Sequence, residues 1–423
     1  MNASKDYTKH PCFNKESSGS CGRVHLPVAP KCNIMCNYCN RKYDCVNESR
    51  PGVASAVLAP AQALRYLDEV LEREPRITVV GIAGPGDPFA NATETLHTLR
   101  LIKEKHPQLL FCLSTNGLNL PPHVEELARL GVSHVTVTVN AVDPEIGSRI
   151  YSWVRDGKVL YRNGKGAELL LSRQLESIRL LKAAGITVKV NTIVIPGVND
   201  HHVLEVARAV KELGADLHNL IPMHPNADTP FAEVPEPSKE MIHELRAQAG
   251  EFLPQMTHCR RCRADAVGLL CQDRSRELAP TLKACSQMVL GLNETRPFVA
   301  VATREGMLVN QHLGEATRFQ IWSQEGEGFR TVDERPAPPA GNGPKRWEAL
   351  AQTLKDCRAV LVSAAGETPR MLMEEHGVPV HDCSGFIEAA LAVVYGAGDL
   401  SALRGRKRGI GGSCCSGGGK SCM

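Results

Sequence analysis

The chain has 423 residues, enough for two or three domains, and a net charge of +3. That near balance gives no argument for nucleic acid or an acidic membrane surface as partner. No apolar run reaches transmembrane length, and the polar start from Met1 to His10 lacks a signal peptide's apolar stretch, so the expectation is a cytoplasmic protein with reduced thiols. There, 16 cysteines point to metal binding before disulfides.

In chain order, residues 1–22 form an N-terminal segment carrying Cys12 in His10-Pro11-Cys12-Phe13-Asn14. Residues 23–250 then alternate between strand-like and helix-like stretches. Strands are expected at Arg23–Ala29, Ile77–Ala83, Leu109–Thr115, His134–Asn140, Thr187–Val194 and Asp216–Leu220. Helices are expected near 60–73, 93–106, 121–130, 166–184, 201–213 and 238–250. Six β-then-α units imply a parallel sheet with right-handed crossovers. The sheet is either open and doubly wound or curled into a partial barrel, and in both ligands gather at the carboxyl ends of the strands.

Side chains two apart on a strand share a face. His25 therefore opposes Val24 and Leu26, Cys112 and Ser114 oppose Phe111 and Leu113, Thr136 and Asn140 oppose Val135 and Val137, and Lys189, Asn191 and Ile193 oppose Val188 and Val190. A sheet buried on both faces reads as continuously apolar. One polar face per strand favours a lumen with a polar ligand, hence the partial barrel.

Residues 251–295 read as an irregular, cysteine-bearing extension. A second α/β pattern follows over 296–400. It has a hairpin of Phe298–Ala302 and Met307–Val309, a strand at Phe319–Trp322, a surface loop over 332–345, a helix at Arg346–Lys355, a strand at Ala359–Ser363 and part of a helix at Met371–Glu375. Residues 401–423 are basic, then Gly/Ser/Cys-rich, and are expected to be a disordered tail.

The strongest chemical signal is Cys32, Cys36 and Cys39, a C-x3-C-x2-C run directly after the first strand. Three thiolates on one loop can hold three irons of a [4Fe-4S] cluster and leave the fourth open to chelate S-adenosylmethionine (SAM) and pass it an electron. Structural zinc wants four ligands; zinc or disulfides are the competing readings. Tyr38, before the third cysteine, is placed to shield the cluster. Gly84, Pro85 and Gly86, in Ala83-Gly84-Pro85-Gly86-Asp87-Pro88, end the second strand, where glycines leave backbone groups free for the amino group of SAM; a plain tight turn uses the same residues. Ser114, Thr115, Asn116, Thr136, Asn140 and Asn191 can bond the carboxylate and ribose of SAM, with Ile193 as a wall for adenine, although core hydrogen bonds would also explain each one. Cys12, His25, Cys112, Cys45, Cys259 and Cys262 are a surplus of soft ligands, sufficient for two further clusters at three ligands each. The Cys259/Cys262 pair taken alone would also suit zinc or a redox couple.

Up to about residue 290 these stretches resemble the NifB family, radical SAM enzymes of nitrogenase cofactor assembly. The resemblance rests on His10–Asn14, Arg23–Asn33, Gly84–Pro88, Ser114-Thr115-Asn116-Gly117 and the Cys259/Cys262 pair. It implies a partial (β/α)6 barrel with a SAM-binding cluster on Cys32, Cys36 and Cys39. It implies two substrate clusters, one on Cys12, His25 and Cys112 and the other on Cys45, Cys259 and Cys262. The implied reaction fuses two [4Fe-4S] clusters, adds a sulfur and inserts a carbide from the SAM methyl group. One SAM gives S-adenosylhomocysteine and a second is cleaved, lyase-fashion, to a 5′-deoxyadenosyl radical.

Implied partners are iron–sulfur cluster donors, cofactor carrier or scaffold proteins, and an electron donor such as a ferredoxin or flavodoxin, with no nucleic acid and no membrane. Residues 296–400 resemble the NifX-type cofactor-binding domain, with a ribonuclease-H-like fold, through Val299-Ala300-Val301-Ala302 and His312–Phe319. Its implied job is to hold or hand over the precursor, with His312 as a candidate contact; docking partner proteins is the competing role. A radical SAM peptide maturase and a non-catalytic iron–sulfur carrier remain as alternatives. The first lacks a peptide-recognition domain, and the second leaves the open iron and the glycine turn unexplained.

Overall fold

The alternating apolar positions of the first half assemble into a curled parallel sheet. The structure, a computed structural model, describes residues 6–45, 47, 53–260, 262–288, 295–341, 343–396 and 400–403. The chain divides into two compact units, Met1–Ser286 and Gln287–Met423.

In chain order the first unit contains β1 (Gly22–His25), β2 (Ile34–Cys36), α1 (Pro60–Arg73), β3 (Ile77–Ile82), α2 (Ala92–Lys105), β4 (Leu110–Thr115), α3 (Val124–Leu130), β5 (Val132–Thr138), α4 (Pro144–Ile150), β6 (Tyr151–Asp156), β7 (Val159–Tyr161), α5 (Asn163–Ala183), β8 (Thr187–Val194), α6 (Val203–Glu212), β9 (Leu217–Pro222), α7 (Lys239–Ala249), β10 (Val267–Leu269), β11 (Gln272–Asp273) and α8 (Ser275–Gln287). The main sheet runs β11-β10-β1-β3-β4-β5-β8-β9. From β1 to β9 its neighbours are parallel. Its end strands β11 and β9 do not pair, so it is a partial barrel.

The outward strand faces are apolar and buried: Val24, Val80, Phe111, Val135, Val137, Val188 and Val190 are each fully covered. α1 shows why the helices seat on them. Ala63, Tyr66, Leu67 and Val70 recur at helical spacing and are all buried. Pro60 opens that helix, where a missing N–H costs nothing.

Parallel pairing lines up residues of equal parity. His25 stands opposite Gly81, Gly81 opposite Cys112, Ser114 opposite Thr136, and Thr136 opposite Lys189. These rows make the floor of the site.

The extension after residue 250 is more regular than expected. β10 pairs antiparallel with β1, β11 pairs with β10, and α8 follows. The open edge of β1 explains this: it offers unpaired backbone groups that an added strand satisfies. Glu74, in the turn between α1 and β3, ties the added hairpin down. Arg76 donates to it at 2.6 and 2.7 Å and Arg274 at 3.3 Å. The Arg76 hydrogen bond, with help from Arg274, pulls the Glu74 carboxyl down to about 2. A depressed folded-state pKa gives stability that is complete above the ordinary carboxylate range and lost as pH falls towards about 2. Glu74→Gln is therefore expected to unfold at a lower temperature than the parent at pH 7, with the difference closing as pH drops from about 4.5; thermal melts of the apo-protein across that window measure it.

The second unit contains β12 (Phe298–Val301), β13 (Leu308–Val309), β14 (Arg318–Glu325), β15 (Gly328–Pro336), α9 (Pro344–Thr353), β16 (Cys357–Val362), α10 (Glu367–Glu375), β17 (Val380–Asp382), β18 (Gly385–Phe386) and α11 (Ile387–Tyr395). Its sheet runs β15-β14-β12-β16-β17, with α9 and α10 packed on one face and α11 on the other. Two sequence expectations fail here. Leu308–Val309 pairs with Gly385–Phe386 rather than forming a hairpin with β12, whose neighbours are β14 and β16. Residues 332–336 belong to β15 rather than a loop, because a second strand pairs with β14 along its whole length. Leu400–Leu403 forms a 3-10 turn, and the rest of the expected tail, 404–423, lies outside the described residues. No helix among the described residues is long and apolar enough to cross a membrane.

Candidate metal and SAM centre

The cysteine loop is held from two sides. Ile34–Cys36 is itself a strand, paired antiparallel with β6 through Ile34–Val154, Met35–Trp153 and Cys36–Tyr151. The β6–β7 hairpin that supplies this clamp was not foreseen in the sequence; short alternation around Gly157 was its only signal. On the other side lies the glycine turn. Gly86 N donates to Ala29 O at 2.6 Å, Asp87 N to Lys31 O at 2.7 Å, Cys45 N to Pro85 O at 2.8 Å, and Ala29 N to Gly84 O at 3.2 Å. The expectation that Gly84, Pro85 and Gly86 leave their backbone groups free is thus corrected. The loops already use Gly84 O, Pro85 O and Gly86 N, and the two bonded carbonyls keep a second lone pair each for a ligand.

Cys32, Cys36, Cys39 and Cys45 line one cavity of about 460 Å³ together with Tyr38, Arg41, Gly86, Asp87, Ser114, Thr115 and Asn116. Burial pushes the Cys32 thiol up to about 12, with the Asp87 charge adding to it, and pushes Cys36 and Cys45 far above the ordinary thiol value. Binding iron here must therefore displace protons. Asp87 organises the back wall. Its carboxylate accepts from Phe89 N at 2.9 Å, Ala90 N at 3.3 Å, Thr115 Oγ1 at 2.9 Å and Asn116 N at 2.7 Å. Asn116 Nδ2 in turn donates to Asn33 Oδ1 at 2.7 Å.

The remaining residues chosen for SAM divide. Thr136 lines the second cavity instead. Asn140, Asn191 and Ile193 line neither cavity. Asn140 lies past the end of β5, its Nδ2 donating to Tyr38 Oη at 2.8 Å and its Oδ1 accepting from Ile193 N at 2.9 Å. Tyr38 Oη donates to Asn47 Oδ1 at 2.7 Å, and Asn191 Nδ2 donates to Asn47 O at 3.0 Å. Ile193 packs in the apolar cluster around Cys36 and Tyr38. The Asn140 and Asn191 amide nitrogens thus brace Tyr38 and Asn47, and their oxygens accept from Ile193 N and Asn219 Nδ2.

The second cavity, about 560 Å³, is lined by Cys12, His25, Cys112, Cys259 and Cys262, with His10, Arg23, Thr136, Lys189 and Arg260. It shares Ala83 and Ser114 with the first, so the two adjoin. His25 Nδ1 lies 3.0 Å from Arg263 O, and since a carbonyl only accepts, Nδ1 carries the proton and Nε2 keeps its lone pair. A carbonyl behind the ring is the usual support for a metal-binding histidine. Burial and the neighbouring Arg23 hold its pKa at about 4, so the ring is neutral and fit to ligate. His10 Nδ1 accepts from Cys12 N at 3.2 Å, and its buried Nε2 has no hydrogen-bond partner among the described residues.

Gly81 lets the His25 ring lie against β3: a Cβ there would stand 2.7 Å from His25 Cδ2 and 3.0 Å from Nε2. Gly81→Ala is therefore expected to swing the imidazole away from the cavity; if Cys12, His25 and Cys112 hold a cluster, histidine nitrogen coupling in pulsed EPR of the reconstituted protein disappears while the cluster signal remains.

The structure gathers Cys12, His25, Cys112, Cys259 and Cys262 in one cavity and Cys45 with the Cys32–Cys39 run in the other. Among the described residues no three His, Cys, Asp or Glu side chains converge on a position for a single metal ion. A cluster differs, since each ligand holds its own iron and the sulfurs stand apart. Buried soft thiols with oxygen and amide groups opposite are a donor set for that. Sequence reasoning assigned no role to Arg23, Lys189, His10 or Asp87; Lys189 had the lumen-facing parity, and His10 and Asp87 sit in the stretches singled out. His312 is in the second unit, its Nδ1 accepting from Gly314 N at 3.0 Å.

Residues 26–210 match the pattern of the radical SAM superfamily, and residues 296–396 match that described as dinitrogenase iron-molybdenum cofactor. The FeMo cofactor biosynthesis protein NifB of Chlorobaculum tepidum is 54% identical over 396 residues, covering 93% of this chain and 93% of that one. The chain belongs to the NifB family. NifB of Klebsiella pneumoniae is 42% identical over 402 residues, covering 87% of this chain and 86% of its own, and NifB of Azotobacter vinelandii is 39% identical over 439 residues, covering 91% and 87%.

Proposed function

We propose that this protein is the radical SAM maturase of nitrogenase iron-molybdenum cofactor biosynthesis. In this reading it joins two [4Fe-4S] substrate clusters with a sulfur and a SAM-derived carbide into the 8Fe-9S-carbide precursor, combining methyl transfer with lyase-type cleavage of SAM. The observation that carries the reading is the pair of adjoining cavities. One offers three thiols on a single loop beside Gly86, Asp87, Ser114 and Asn116; the other offers four thiols and a neutral, carbonyl-backed imidazole.

In this account Cys32, Cys36 and Cys39 hold the resident cluster, which when bound supplies the electron that cleaves SAM. Ser114 and Asn116 face SAM, and Asp87 holds Thr115 and Asn116 in place. Cys12, His25 and Cys112 hold one substrate cluster. Cys45, Cys259 and Cys262 hold the other, which must then sit at the wall shared by the cavities, at Ala83 and Ser114. That position is next to SAM, where a methyl acceptor belongs. The match of residues 296–396 to the cofactor pattern supports a second unit that holds or hands over the precursor to carrier proteins. Cluster donors and a ferredoxin- or flavodoxin-type reductant complete the set. Its reduced thiols suit the cytoplasm.

The four thiols of the first cavity favour one alternative, a non-catalytic carrier with Cys45 closing the fourth iron. Anaerobic reconstitution decides. The proposal predicts iron for three clusters per chain and an EPR signal that SAM perturbs in the parent and in Cys45→Ala, but not after loss of the Cys32–Cys39 run. A carrier would show no SAM effect.

A further inference from the structure

Arg23 is a buried cation that none of the roles above uses. It lies on β1 with its side chain 1% exposed. Its guanidinium spans to the extension: Nη1 donates to Gly268 O at 2.5 Å and Leu269 O at 3.1 Å, and Nη2 to Asp273 Oδ2 at 3.3 Å. Nε donates to Cys262 Sγ at 3.3 Å. The planar fork is thus fixed by the β10–β11 hairpin, and fixing it aims Nε–H at the sulfur. β1 and β10 are themselves paired with Arg23 opposite Gly268, so hairpin, arginine and thiol form one unit.

Charge points the same way. A buried cation needs compensating anions. Asp273, its carboxylate partner, is 27% exposed, and the half-buried Cys262 sulfur accepts from the Nε side of the fork. Arg23, Lys189 and Arg260 line the second cavity, and none of its described lining residues is a carboxylate. Such a wall suits thiolates and the anionic clusters they carry.

We propose that Arg23 is a positioning residue for Cys262 that keeps its Nε–H on the sulfur when that sulfur binds a substrate cluster, and so makes Cys262 the most weakly donating ligand, the one from which the finished product parts. This rests on the reading that Cys262 holds a substrate cluster. A hydrogen bond to a ligand sulfur withdraws charge from it, raises the cluster's reduction potential and weakens the iron–sulfur bond. Lysine preserves the charge without the fork, and glutamine removes the charge.

The test uses the full chain with Cys32, Cys36 and Cys39 changed to Ala, so that only substrate clusters report. It is reconstituted anaerobically and combined in turn with Arg23→Lys, Arg23→Gln, Asp273→Asn and Cys262→Ala. Two quantities are read: the midpoint potential from an EPR-monitored redox titration, and the rate of iron loss to a chelator. Arg23→Lys and Arg23→Gln are expected to lower the potential and slow iron loss about tenfold, as for one charge-assisted hydrogen bond. Asp273→Asn, which leaves Gly268 O and Leu269 O to hold the fork, is expected to shift both far less than Arg23→Lys does. An unchanged potential in Arg23→Lys overturns the proposal. So does iron loss that accelerates alike in Arg23→Lys and Asp273→Asn, which would make the arginine a fastener of the hairpin only. If Cys262→Ala leaves iron content and potential as in the parent, the cluster assignment of Cys262 fails and takes the proposal with it. If Cys262→Ala alters them and Arg23→Lys does not, only the role of Arg23 fails.

Discussion

Gly86→Ala is expected to abolish SAM binding, although alanine is the smallest possible change. A Cβ at this position would overlap Lys31 O, 2.5 Å from Lys31 C and 3.0 Å from Ala29 O. All three are backbone atoms, so no side chain can swing aside. The two loops would have to part, breaking the bonds Gly86 N–Ala29 O and Asp87 N–Lys31 O that set the height of Cys32 over the cavity. Overpacking against fixed backbone costs about 3 kcal/mol or more. The expected result is a protein that still folds, with substrate-cluster signals present, reduced iron at the Cys32–Cys39 run and no change in EPR on adding SAM. A SAM response equal to that of the parent would show that the loops need not touch.

Asp87→Asn is expected to have the next largest effect. The Asp87 side chain accepts three backbone N–H groups and the Thr115 hydroxyl on its two oxygens; the residue is 3% exposed. An amide replaces one acceptor by a donor, so either Asn116 N–H or the Phe89 and Ala90 N–H pair faces another N–H. Losing a buried hydrogen bond to a charged acceptor costs about 1.5–3 kcal/mol, and the orphaned amide adds to that. Because Thr115 and Asn116 line the first cavity, which the proposal gives to SAM, the variant is expected to bind SAM at least tenfold more weakly, for the same energy, as well as to melt earlier. Equilibrium binding of SAM to the reconstituted protein measures the first effect. Undiminished binding would mean that Asn116 and Thr115 hold their places without Asp87.

Much of this arrangement was legible in the residues. Strand parity put His25, Cys112, Thr136 and Lys189 on one side, and all four line the second cavity. The six helix positions were visible from their apolar spacing, and α1 falls at 60–73 as expected. Parity stops at strand ends. β5 closes at Thr138, so Asn140 turns to Tyr38 rather than into a cavity. Asn191 does keep its lumen parity, yet its amide is taken by Asn47 O, from a loop more than a hundred residues away. No local pattern carries that information. The same holds for Leu308–Val309, whose partner Gly385–Phe386 lies far along the chain, and for β10, recruited by the open edge of β1. Cys45 shows the converse. Its resemblance-based grouping joins it to Cys259 and Cys262, while its backbone bond to Pro85 O brings it to the cavity of the Cys32–Cys39 run. The two descriptions meet only if one substrate cluster sits at the wall where the cavities adjoin.

That junction makes the SAM methyl carbon the decisive tracer. Reconstituted protein is given dithionite and SAM labelled in its methyl group, and the products are separated anaerobically. The account predicts both S-adenosylhomocysteine and 5′-deoxyadenosine, neither carrying the label, with the labelled carbon in a protein-bound metal cluster and absent from any cluster when Cys12 or Cys262 is changed to Ala. Cleavage of SAM with no label in any cluster, whatever the substrate-cluster ligands, would contradict it.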